Sequence, residues 1–91
     1  MDAAYFEDLA GRLYGLVIVL EDRLGAGQAQ LFHHFIEVGE YGLALEEIAG
    51  ALAQDKTAIT DHERGDMLAL AARMKIGDLV PHGLGFCPQA R

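Results

Sequence analysis

Four stretches of this chain repeat apolar residues at steps of three and four, and that spacing restricts the fold to packed helices more than any other feature. Between residues 5 and 24, Phe6, Leu9, Leu13, Leu16, Val17, Leu20 and Leu24 fall on one stripe. This predicts a first helix, with Asp2 available as its cap and Gly25 and Gly27 as its exit. Val17, Ile18 and Val19 are β-branched, so a short buried strand over residues 16–20 competes locally. The stripe continues on both sides of that segment, which favours helix.

A second helix is expected over residues 28–38, with Leu31, Phe32, Phe35 and Ile36 on one side and Gly39 as its stop. A third follows after a very tight link, from about Glu40, with Tyr41, Ala44, Leu45, Ile48 and Leu52 facing inward. Thr60 and Glu63 have the spacing of a capping box, in which hydroxyl and carboxylate each satisfy a backbone donor. They open a fourth helix whose acids at Asp61 and Glu63 and bases at Arg73 and Lys75 follow the order the helix dipole prefers. Met67, Leu70, Ala71 and Met74 would face its interior, and residues 54–59 form the connection.

Beyond Lys75, the residues Gly77, Pro81, Gly83, Gly85 and Pro88 interrupt any long regular element. The expectation is an all-α fold, a small and mostly antiparallel bundle of about four helices with an irregular Gly/Pro-containing C-terminal tail. It forms one domain, residues 1–91, with the bundle in 1–76 and the tail in 77–91. Leu79, Val80, Leu84 and Phe86 could lie over the helices as a flap.

The apolar run at residues 16–20 is far shorter than the roughly 18 residues of a membrane span, and the first residues are acidic rather than basic. The single cysteine, Cys87, cannot form an internal disulfide. These features make the cytoplasm the expected compartment, without a membrane partner. Seven Lys and Arg against 14 Asp and Glu give a net charge of −7, which repels nucleic acid and attracts a basic protein surface.

Residue chemistry supplies no catalytic or metal-binding set. His33 with Glu37, and His62 with Asp66, are spaced four apart and could share a helix face, but two ligands do not complete a zinc site. Cys87 follows His82 by five residues without an orienting acid and reads as a small apolar filler. The adjacent acids Glu21 and Asp22, or Glu46 and Glu47, point in different directions on a helix and read as solvated faces. Gly11 and Gly15, four apart, suggest a close helix contact or a local bend. No enzyme activity and no cofactor are expected.

Glu37, Gly39, Glu40, Tyr41, Gly42, Ala44, Leu45 and Glu46, followed by the threonine-started helix ending near Met74, resemble the MafI-type family of bacterial immunity proteins. The likeness covers residues 35–52 and 59–74. It implies a small cytoplasmic protein that binds a cognate toxin domain and protects the producing cell, without turnover of its own. An inhibitor of a nucleic-acid-cleaving toxin competes for a basic cleft, so Glu37, Glu40, Glu46 and Glu47 are the candidate toxin-facing residues. The order Gly39, Tyr41, Ala44 also resembles part of a tetratricopeptide repeat, although the 34-residue period is missing. A helical peptide-binding adaptor or homodimer, with the first helix as interface, is the alternative.

Overall fold

The computed structural model describes residues 3–90. Helix α1 (Ala3–Leu20) leads through a 3-10 turn (Glu21–Arg23) to α2 (Ala26–Glu37), α3 (Tyr41–Gln54), α4 (Asp61–Met74) and a short α5 (Leu79–Leu84). The fold is all-α, with four longer helices as the apolar stripes require. Asp2, the expected cap of α1, lies outside the described residues. Among the described residues, no helix is long and apolar enough to cross a membrane.

Along α1 the buried residues are Leu9, Leu13, Leu16, Val17 and Leu20, one side of a cylinder, while Ile18 and Val19 are 70% and 52% exposed. Burial on a 3.6-residue period rules out the competing strand, in which alternate residues would be buried. Leu24, expected at the helix end, instead lies in extended backbone after the 3-10 turn. On α2 only Phe32 and Ile36 are buried; Leu31 is exposed, a correction to its expected inward place. Leu31 precedes Phe32 by about 100° of helical rotation, enough to carry it past the rim of the buried stripe.

The α2–α3 link is tight because Gly39 adopts φ +80, a left-handed conformation with no Cβ to clash. Its N–H donates to the Ile36 carbonyl and that of Glu40 to the Phe35 carbonyl, so both bonds of a Schellman stop are made. Helix α3 is the centre of the core. Ala44, Leu45, Ile48, Ala49, Ala51 and Leu52 are all buried on it, and all but Ala51 join the buried residues of α1, α2, α4 and the C-terminal segment in one cluster.

At the start of α4 the Glu63 N–H donates to Thr60 Oγ1 at 3.0 Å and the Thr60 N–H to Glu63 Oε1 at 2.8 Å, the expected capping box. Two ion pairs link α4 to the α1 segment at opposite ends. Arg23, just past the end of α1, holds Glu63 at the start of α4, while Asp8, near the start of α1, holds Arg73 at the end of α4. The two helices therefore run in opposite directions.

The C-terminal segment is more regular than its glycines and prolines suggest. Pro81 is the third residue of α5, where its missing N–H has no intrahelical acceptor to lose. Gly83 allows close approach to α3, since a Cβ there would sit 3.3 Å from the Ala49 carbonyl oxygen. Val80, Leu84 and Cys87 are buried in the common core, whereas Leu79 and Phe86, expected to cover it, are exposed. Arg64 donates to the carbonyls of Leu84 at 2.6 Å and Cys87 at 2.7 Å. The Ile59 N–H donates to the Pro88 carbonyl and the Ala90 N–H to that of Ile59, tying this segment to the α3–α4 connection.

Candidate functional site

The four glutamates singled out from the sequence lie on the α2–α3 hairpin. Glu37 closes α2, Glu40 occupies the N-cap position of α3, and Glu46 and Glu47 follow along α3. Glu37 and Glu40 are exposed, and Glu46 and Glu47 half-buried. The Gly39 turn sets the first two on either side of the bend. The buried face of α3 pushes the others outward to its two flanks.

Glu40 and Glu47, seven residues apart, lie on about the same side of α3, two turns from one another. Glu46 is rotated from Glu47 by about 100°, so the glutamates bracket an exposed strip rather than form one tight cluster. That strip holds Leu43, 47% exposed, and the adjoining turn holds Val38, 55% exposed. Two exposed apolar side chains thus lie among the acids on this face.

The electrostatics of the hairpin are one-sided. Residues 24–55 contain five acids, Asp55 being the fifth, and no Lys or Arg. Among the described residues, none of these carboxylates forms an ion pair or a side-chain hydrogen bond. Arg23 and Arg64, outside the hairpin, are tied into the fold. Arg23 binds Glu63 at 2.8 and 2.6 Å and the Ala58 carbonyl at 3.1 Å. The Arg23 guanidinium, helped by the Thr60 N–H, outweighs burial and holds the Glu63 carboxyl down to about 2. Arg73, with Arg12, likewise lowers Asp8.

Glu40 also borders a crevice of ≈ 250 Å³ formed where α1, the hairpin turn and the end of α4 meet. Phe6 and Tyr41 line it with ring centroids 6.1 Å apart, and Tyr5 meets Phe6 edge-on at 5.3 Å. A carboxylate beside aromatic rings suits a Lys or Arg side chain from a partner. These rings had no place among the sequence candidates because Tyr5 and Phe6 come from α1 and Tyr41 from α3. Phe6 and Tyr41 each fell on a helical stripe, but no spacing in the sequence connects α1 to α3.

The other candidate constellations are dispersed. His62 Nε2 lies 3.3 Å from Asp66 on the exposed side of α4, and His33 faces the Tyr14 ring at 5.7 Å. Among the described residues, no group of three His, Cys, Asp or Glu side chains could hold a metal ion. Cys87 is buried, which pushes its thiol up despite the nearby Arg64 charge, and its sulfur contacts the Gly83 carbonyl at 4.0 Å. His82 packs against Phe86 instead. Gly11 and Gly15 meet no neighbour that a Cβ would disturb, so close packing does not account for them.

Comparison with protein-family models, with curated proteins and with solved structures gave no match for this chain.

Proposed function

We propose that this protein is an immunity protein, a non-catalytic module that covers a cationic surface of a cognate bacterial toxin domain in the cytoplasm of the producing cell. The observation that carries this reading is the cation-free α2–α3 hairpin, whose five carboxylates have no ion-pair partner within the described chain. Glu37, Glu40, Glu46 and Glu47 steer and filter the encounter by charge complementarity. Leu43, Val38 and the Tyr41 crevice supply the apolar area that holds the complex. The resemblance of residues 35–52 and 59–74 to MafI-type immunity proteins supplies the toxin as partner.

The test is co-expression with the products of the neighbouring genes, among which this reading expects a toxin domain. Copurification and restored growth are expected, and the Glu40→Lys, Glu47→Lys double variant should bind at least tenfold more weakly at low salt with unchanged helicity. Failure to bind or protect against any of those products would overturn the reading. The alternative, a toxin-independent adaptor or homodimer, draws on the exposed Ile18 and Val19 of α1. Sedimentation distinguishes it, since a stable dimer that Ile18→Ser dissociates is expected only for that arrangement.

A further inference from the structure

On the side of the molecule formed by α1 and α4, a groove of ≈ 350 Å³ runs between the two helices. The Arg23–Glu63 and Asp8–Arg73 ion pairs hold its two ends. Leu16 and Val19 of α1 and Leu70 of α4 give it apolar walls. Gly15 opens it further. Glycine inside a helix is disfavoured relative to alanine, and here a Cβ would meet nothing within 4 Å. The missing side chain therefore serves no close helix contact, but it does leave space in the groove.

One end of the groove is positive on an otherwise acidic protein. Arg12 Nε and Arg73 both donate to the same oxygen of Asp8, so two guanidinium charges share one carboxylate. Arg12 stays largely exposed, with donors left for a second acid. The Glu63 charge at the far end is committed to Arg23 and the helix cap, and half-exposed Asp66 is paired with His62 at 3.3 Å. Arg23 already donates to Val19, Ala58 and Glu63, so no guanidinium is free there for a second acidic group. Seven residues separate Arg12 from Val19, a floor of about 10 Å that suits an aliphatic tail of about eight carbons. The volume lies at the lower end of the range for small-molecule sites.

We propose that this groove binds a medium-chain monocarboxylate, with the acid on Arg12 and Arg73 and the tail over Leu16, Val19 and Leu70. The site is separate from the acidic hairpin and does not depend on the toxin assignment.

Titration of the whole chain with octanoate below its micelle concentration, followed by amide and methyl NMR shifts, tests it. Saturable shifts at Gly15, Leu16, Val19 and Leu70 are expected, with octanol, octylamine and the eight-carbon diacid suberate each binding at least fivefold more weakly. Arg12→Gln should reduce octanoate binding to the level of octanol. Gly15→Leu should fill the groove and abolish the shifts in a chain that unfolds at no lower denaturant concentration. Equal binding of octanoate and octylamine, shifts scattered outside the groove, or undiminished binding by Arg12→Gln would overturn the proposal.

Discussion

The α2–α3 hairpin and the α1–α4 pair are built by opposite means. The hairpin has no Lys or Arg and is held by Phe32, Ile36, Leu45, Ile48 and Leu52 against the common core. The α1–α4 pair is tied at its ends by Arg23–Glu63 and Asp8–Arg73, with a groove between the ties. Charge is thus spent on architecture on one side and left unmatched on the other. The contrast separates the acids paired within the fold, Asp8 and buried Glu63, from the hairpin acids that have no partner in it.

The largest test of this contrast strikes the apolar side. Leu45→Ala removes a side chain with no exposure at the centre of α3 and should cost about 2–5 kcal/mol in urea unfolding. A loss well under 1 kcal/mol would mean that the hairpin does not rest on this core. Next comes Arg23→Gln, which leaves the Glu63 carboxylate without its bidentate partner and should cost about 1.5–3 kcal/mol.

The same pair sets an acid dependence. Glu63 is held at about 2 against an ordinary 4.5. Its folded pKa is the lower one, so its stabilisation is complete above pH 4.5 and is lost as pH falls toward 2. Unfolding midpoints measured across that window should drop in the parent chain and drop less in Arg23→Gln; parallel curves would detach the carboxyl from Arg23. Thr60→Ala should cost about 1 kcal/mol by removing the cap oxygen, read as a melting temperature lower by about 4–8 °C. At the small end, Glu40→Lys with Glu47→Lys should alter unfolding free energy by no more than about 0.5 kcal/mol. A larger effect would place those glutamates among the architectural acids.

What the sequence revealed divides along the range of the interaction involved. The α1 and α3 stripes, the Gly39 stop and the Thr60–Glu63 box depend on residues a few positions apart, and periodicity or spacing exposes them. Arg23 meets Glu63 across 40 positions, and the backbone pairing of Ile59 with Pro88 and Ala90 joins two segments without a distinctive pattern of their own. Such partners follow only from how the helices come together. Proline and glycine made the end of the chain look irregular, because α5 is short enough to hold Pro81 within its first turn. For the candidate site, the outward placement of Glu37 and Glu40 was legible, whereas the offset of Glu46 and the crevice beside Tyr41 needed three helices in place.

Burial of Val80, Leu84 and Cys87 with Leu9 and Leu45 has a consequence for synthesis. While the ribosome still encloses residues 79–87, α3 has an uncovered flank and Arg64 lacks the carbonyls it grips. The emerging chain then shows sticky surface until residues 79–87 arrive, a brief interval in which a chaperone has something to hold.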